Sequence, residues 1–395
     1  MSTNTLTKNK NKPDPNSVYL EFEKGNKFNS SIKLTETVKV NEDFFIGKQW
    51  ENVKSNGLPT PVFNFLKRAT LFQVASITTD NIKMQCSPLA AAGFERELDA
   101  LTGIVNREFE SIFEANKVAL LLREFMRNAA VDGDGCLYTY WDSTANTGQV
   151  AKGRIVTEIV ENTRVFFGNP NDRRVQTQPY IIISRRSMVD EVRERAKENG
   201  ESGWALIEPD GDENAPERPY LTDDKVTVLL RFWKNDKTGT IWAHESTSRT
   251  VVKKSFDTGL TVYPITWLNW DYIQECYHGQ ALITGLIPNQ IFVNKLYAMT
   301  MISLMTMAYP KIIFDKTRIA QWTDQIGVAI GVNGALKDVV QPIPPVQVDP
   351  QIAQFIDKVV DHTQTFLGAT SAALGDTRPD NTSARQLWHC AVEAA

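Results

Sequence analysis

Hydrophobic positions recur every three to four residues through the first third of the chain, then every two, then every three to four again near the end. The predicted elements follow that order. In TPVFNFLKRATLFQVASITTD, from Thr60 to Asp80, the residues Phe63, Leu66, Phe72, Val74 and Ile77 fall largely on one helical stripe, with Thr60 as N-cap and Pro61 at the first position. A second helical stretch, Phe94 to Ala130, repeats Leu98, Leu101, Ile104, Val105, Phe109, Ile112 and Phe113, then Leu120, Leu121, Phe125 and Met126. It ends in the turn Asp132-Gly133-Asp134-Gly135. Beyond it, β-branched and aromatic runs bounded by Gly, Asn and Pro predict strands at 136–141, 154–160, 165–168, 180–184, 226–233, 240–246 and 265–270. Ser187 is expected to cap a short helix that buries Met188, Val189, Val192 and Ala196. These elements imply an α+β domain closing near Tyr277.

The following stretch, Tyr277 to Pro310, has Lys295 as its one formally charged side chain. Its 291–309 segment approaches the roughly 20 residues that cross a bilayer. Asn294 and Lys295 inside it, Pro288 at its start and the lack of a flanking Lys/Arg cluster argue against a span. A central Lys alone costs about 2.5 to 3.5 kcal/mol on insertion scales. A helix over Pro288–Tyr309 is therefore expected to bury itself in protein. A second long helix has Asp349 as N-cap, Pro350 at its first position, and Ile352, Phe355, Ile356, Val359, Val360, Phe366 and Leu367 as its apolar stripe. The two helices, roughly 33 and 27 Å long at 1.5 Å per residue, are matched as an antiparallel pair. The connection between them, with a short helix at Thr317–Gln325, is too long for a bundle loop and should fold as its own unit. If copies of the second helix surrounded a pore, Gln354, Asp357, Lys358, Asp361 and Thr365 would face whatever passes through.

Composition narrows the chemistry. The 395 residues have room for two or three domains, and 42% hydrophobic with 23% charged residues is ordinary globular usage. Lys+Arg 43 against Asp+Glu 47 gives a net charge of −4, the wrong sign for gripping nucleic acid by neutralising phosphates. An acidic or neutral lining would instead let a polyanion slide. Cys86, Cys136, Cys276 and Cys390 show no CxxC spacing, and His244, His278, His362 and His389 fall in separate elements, so neither a zinc site nor a disulfide scaffold is expected. No cofactor is expected. Asp132-Gly133-Asp134-Gly135 resembles the start of a calcium loop, but the twelfth position is Ser143, where that loop needs a glutamate. No P-loop occurs, so any ATP-driven work belongs to a partner. Residues 1 to about 40, rich in Lys, Asn, Ser and Thr, are expected to form a flexible or loosely docked arm. They carry neither an apolar signal region nor a myristoylation glycine.

The ordered set FFIGKQW (44–50), PTPVFNFLKR (59–68), DGDGCLYTYW (132–141), VFFGNPNDRRVQTQPYIIISRR (165–186), YHGQALITGLIPNQ (277–290) and LGDTRPDNTSA (374–384) resembles the portal proteins of tailed bacteriophages, particularly siphophage-like relatives infecting Firmicutes-type hosts. The similarity runs from about Asn41 to Ala384. It implies a wing over 41–278, a stem over 279–309 and 350–368, a small α/β clip over 310–349 and a tunnel loop over 369–384. It also implies a non-enzymatic ring of about twelve subunits at one capsid vertex. Partners would be the large terminase, capsid and scaffolding proteins, then head-completion and adaptor proteins, with double-stranded DNA passing through and no membrane. The location implied is the virion, after assembly in the host cytoplasm. Carried onto this chain, Thr370, Ser371, Asp376, Thr377, Arg378, Asp380 and Asn381 would face DNA. Ile291, Leu296, Met301, Met305, Phe355, Val359 and Phe366 would pack stems together, and Trp322, Asp324, Lys337 and Asp338 would dock terminase or adaptor. Relatives continue into a crown, whereas here RQLWHCAVEAA follows, so a truncation or frame shift near Ala384 is expected. Two other readings remain open: a membrane anchor using 291–309, and a metal-dependent enzyme around Asp132 and Asp134.

Overall fold

The switch in hydrophobic period at Gly133 is reproduced in the computed structural model, where helices dominate before it and antiparallel strands after it. The structure describes residues 13–51, 59–79, 84–87, 95–146, 152–211, 224–308, 312–319, 330–335, 339–342 and 350–366, with single positions 54, 148 and 321. The chain divides into two compact units, Met1–Ile46 with Thr70–Gly285, and Gly47–Ala69 with Leu286–Ala395. The fold class is α+β.

Helices α1 (Pro15–Ser31) and α2 (Leu34–Ile46) lie where a loose arm was expected. The arm's average composition is polar, but its few apolar side chains are correctly spaced. Val18 and Phe22 pack on Phe166, Ile182 and Leu229, and Glu21 forms a two-point ion pair with Arg231 at 2.6 and 3.1 Å. Pro15 opens α1, the Ser17 hydroxyl accepts from the Asp14 N–H, and Lys33 in the left-handed region separates the two helices. The third helix, α3 (Phe65–Thr78), starts later than Thr60 because the Asn64 side chain, not Thr60, accepts from the Lys67 N–H. Helices α4 (Glu95–Ala115) and α5 (Val118–Asp132) break at Lys117, which also adopts a positive φ.

The strands are β1 (Asp134–Asp142), β2 (Arg154–Ile159), β3 (Val165–Phe167), β4 (Ile181–Met188), β5 (Lys225–Lys234), β6 (Ile241–Ser246), β7 (Val251–Asp257) and β8 (Ile265–Asn269), followed by a short ribbon of β9 (Asp271–Tyr272) and β10 (Gly279–Gln280). They form a five-stranded antiparallel sheet in the order β3-β4-β5-β6-β7 and a three-stranded sheet β2-β1-β8. Cys136, Tyr138 and Ile265 of the smaller sheet pack against Phe167, Ile181, Ile183 and Phe232 of the larger, forming the main core. Helix α6 (Val189–Glu198) buries Val192 and Ala196 against Val226, Val228 and Val252. Strand β4 runs on to Met188, so Ser187 is not the cap of α6, and Met188 is exposed instead of buried. The other face of the larger sheet carries α1.

The junction of α5 and β1 is pinned by a buried carboxylate. Asp134 accepts from Asn269 Nδ2 at 2.7 Å, from the Gly279 N–H at 2.7 Å and from His278 Nδ1 at 2.6 Å. Beyond the imidazole, His278 Nε2 lies 3.2 Å from Asn29 Oδ1 of α1, and the Tyr277 hydroxyl reaches Asn29 and the Val165 carbonyl. Gly133 makes the turn possible, since its φ is +99° and a Cβ there would stand 2.8 Å from the Gly279 carbonyl oxygen.

In the second unit, α7 (Ile287–Ala308) and α8 (Pro350–Phe366) match the expected helix pair within a residue or two. Between them, β11 (Ile312–Phe314) and β12 (Val340–Pro342) pair antiparallel in the segment expected to fold by itself. Lys316–Arg318 is a turn where the short helix was expected to begin, and most of that helix's expected span lies outside the described residues.

Replacing Asp134 by alanine takes the acceptor from the Asn269 amide, the Gly279 N–H and the buried His278 imidazole and is expected to cost about 3 kcal/mol or more. Urea denaturation of the variant against the parent chain measures it; an unchanged midpoint would show that the junction is held elsewhere.

Candidate functional site

The first half of helix α7 buries two amides beside two apolar side chains. Gln290, Val293, Asn294 and Ala298 form its buried stripe, at the three- and four-residue spacing of one helix face. The polar members of that stripe are satisfied by the 47–69 segment. Gln290 Nε2 donates to the Phe63 carbonyl at 2.7 Å and to Asn294 Oδ1 at 3.0 Å, while Asn294 Nδ2 donates to Gln49 Oε1 at 2.6 Å. The Phe63 N–H donates in return to Asn294 Oδ1 at 3.4 Å, and the Phe63 ring stacks on Tyr297 with centroids 4.0 Å apart. This ladder also explains why helix α3 does not begin before Phe65: the backbone groups of Phe63 are already committed to α7 side chains.

Past Ala298 the described side chains of α7 include no buried position. Thr300 and Ser303 turn their hydroxyls back to the Leu296 and Met299 carbonyls at 2.9 and 3.0 Å, which removes their polarity from the surface. Phe292, Met299, Met301, Leu304 and Met305, with Phe355 of α8, are between 39% and 63% exposed. Helix α8 runs antiparallel to α7: Asn289 reaches Thr363 at 3.4 Å and Phe292 meets Phe355 edge-on at 6.0 Å. Ile356 and Thr363 are its buried positions among the described side chains, and Gln354, Asp357, Lys358, Asp361 and Thr365 are all exposed.

The expected packing residues thus divide. Met301, Met305 and Phe355 are exposed, Ile291, Leu296 and Val359 are half-buried, and the side chain of Phe366 lies outside the described residues. So do Trp322, Asp324, Lys337 and Asp338, and the loop from Thr370 to Asn381. The expected channel-facing group of α8 is brought to one solvent-facing side. Sequence reasoning missed Gln49 and the role of Gln290 and Asn294 as an anchor. The signal was present as two amides at i, i+4 in an otherwise apolar run.

A scan against protein-family models and a search of curated proteins both return no match.

The other two readings meet specific geometry. Among the described residues no helix is long and apolar enough to cross a membrane, α7 included. Around Asp132 and Asp134, both oxygens of Asp134 are taken by Asn269, Gly279 and His278. No group of three or more His, Cys, Asp or Glu side chains among the described residues is placed to hold a metal ion. Asp132 is pushed up from 3.8 to about 7, first by burial and then by the negative charges of Glu42, Glu161 and Asp134, against the opposing pull of Arg127. The folded chain therefore keeps this proton to a higher pH than the unfolded chain does. Its contribution to stability is complete below about pH 4 and lost as the pH rises through about 7. Asp132→Asn is expected to be more stable than the parent chain by about 1 to 3 kcal/mol at pH 8, with the difference shrinking toward zero near pH 4. Denaturation midpoints across that range test the sign.

Asn294→Ala is expected to remove the acceptor of the Phe63 N–H and of a Gln290 N–H, with one donor to Gln49 Oε1, and to cost about 1 to 3 kcal/mol. Hydrogen exchange should then rise in residues 47–69 and the first turns of α7. Unchanged protection there would show that the amide ladder does not anchor the helix.

Proposed function

We propose that this chain is a portal-type subunit: one member of a ring at a capsid vertex through which double-stranded DNA enters and leaves. The observation that carries the reading is the exposure of apolar side chains along α7. Phe292 and Met299 lie on the side of the helix away from Gln290 and Asn294, Met301, Leu304 and Met305 continue the amide-bearing side past the last buried position, and all five are left for another surface to cover. Covering each of these half-exposed side chains would contribute roughly 1 kcal/mol, and a ring brings a different face of the neighbouring copy against them. The ordered motifs from FFIGKQW to LGDTRPDNTSA support the same assignment by resemblance.

In this reading the α+β unit is the wing, α7 and α8 are the stem, the β11–β12 ribbon belongs to the clip, and 369–384 is the tunnel loop. The exposed side of α8 suits a conduit. Asp357 and Asp361 outnumber Lys358, so a passing polyanion meets little fixed positive charge to hold it. The clip, through Trp322, Asp324, Lys337 and Asp338, would dock first the large terminase, which supplies the ATP chemistry, and later head-completion and adaptor proteins. The chain itself performs no catalysis and needs no cofactor.

Mass photometry and negative-stain imaging of purified chain should give rings of about a dozen copies. Met301→Glu with Met305→Glu should yield a folded monomer with an unchanged far-UV circular dichroism spectrum, because both side chains are exposed in the single subunit. A parent chain that stays monomeric at high concentration would overturn the reading.

A further inference from the structure

The face of the five-stranded sheet beneath α1 concentrates unpaired hydrogen-bond donors. Arg231 stands directly opposite His244, and Trp233 directly opposite Trp242, across the β5–β6 ladder. Directly paired residues and residues two apart share one face of a sheet, so all four side chains lie together on the α1 side. The two indole rings are 6.4 Å apart, and the Arg231 guanidinium carbon lies 5.0 Å from the Trp233 ring centre. Arg231, Trp233 and His244 are each 6% exposed or less.

Arg231 gives Nε and Nη2 to Glu21. Its Nη1, together with Trp233 Nε1, Trp242 Nε1 and His244 Nε2, is buried with no hydrogen-bond partner among the described residues. A guanidinium nitrogen and an indole nitrogen can only donate. His244 is neutral at pH 7: burial first, and then the charge of Arg231, push it down from 6.5 to about 4. The Ser255 hydroxyl, 3.4 Å from His244 Nδ1, can donate to that nitrogen and leave the ring proton on Nε2. The Ser246 hydroxyl, one residue pair further along, is the one unpaired group on this face with acceptor capacity.

A buried donor left unpaired is costly, and four on one patch call for a common acceptor. Water answers poorly, because each molecule brings two donors of its own to a place that already has too many. An oxyanion answers well, since it accepts from every side and donates nothing. We propose that this sheet face is a binding site for a small oxyanion, of which inorganic phosphate is the simplest, held by Arg231 Nη1, Trp233 Nε1, Trp242 Nε1 and His244 Nε2. Glu21 already balances much of the Arg231 charge, so recognition rests on the count and direction of donors. The inference is independent of the ring reading, because binding is read on the chain in whatever oligomeric state it adopts.

The test titrates full-length chain with inorganic phosphate, against chloride at matched ionic strength, following thermal unfolding and tryptophan fluorescence. The expected result is a saturable rise in melting temperature with phosphate alone, accompanied by a fluorescence change. Trp233→Phe with Trp242→Phe keeps an aromatic ring at each position but removes two N–H donors, and should shift half-saturation upward by about tenfold or more, read as the phosphate-dependent rise above the variant's own unliganded melting temperature. Trp242→Phe alone should shift it less, in the same direction. Absence of a phosphate-specific rise in the parent chain, or an equal response in the variants, would overturn the proposal.

Discussion

A polar group removed from water must find a partner, and the way this chain meets that demand determines which of its surfaces are left over. At the start of β1 the demand is met by convergence. One carboxylate, Asp134, collects an amide, a backbone N–H and an imidazole from residues more than 130 positions away in sequence. Through His278 and Tyr277 the same network reaches Asn29 and holds α1, so a helix of modest apolar content is docked by hydrogen bonds as much as by Val18 and Phe22. In the second unit the demand is met by Gln290 and Asn294, which are buried with Val293 and Ala298 in the first half of α7. Past Ala298 the same helix side continues as Met301, Leu304 and Met305, and there it is exposed.

Much of the architecture was legible in the hydrophobic period. The strands β1 to β6 and β8, and the helices α7 and α8, fall close to where alternation or a three-four repeat places them, because those residues bury one continuous side. The failures have physical causes. Strand β7 reads as polar because Lys253 and Lys254 sit mid-strand, yet Val252 is fully buried and Lys253 pairs across to Glu245. The arm at 1–40 was judged by its average, whereas docking depends on the positions of a few side chains. The start of α3 was misplaced because the Phe63 backbone is claimed by side chains more than 220 residues away, a contact that no local pattern contains.

The site was legible in part, and the division follows the same logic. Met301, Met305 and Phe355 could be picked as packing residues from the apolar run alone. Their exposure could not, because an all-round apolar helix has no phase to read. The two amides supply a phase for the first half of α7, where their partners lie in 47–69, and Met301 and Met305 share that phase yet are uncovered. On α8 the phase was readable, since its apolar stripe and its charged side are distinct, and Asp357, Lys358 and Asp361 are exposed as that pattern requires.

The two helices of the pair therefore present different surfaces for different reasons. Helix α8 turns charge outward because charge is costly to bury, a choice that holds for any solvated helix. Helix α7 exposes methionine and leucine in its second half because Met301, Leu304 and Met305 continue the amide-bearing side beyond the last buried position, Ala298, an exposure that only a partner surface makes favourable. Flexible methionine side chains suit such a surface, since they adapt to a neighbour without demanding one fixed geometry. If the amides were there merely to satisfy one another, replacing both with leucine would relieve the helix of its polar stripe and give it no preferred face. Their hydrogen bonds to Phe63 and Gln49 instead fix the rotation of the first half of α7, and the same side, carried on through Met301, Leu304 and Met305, is left open for assembly.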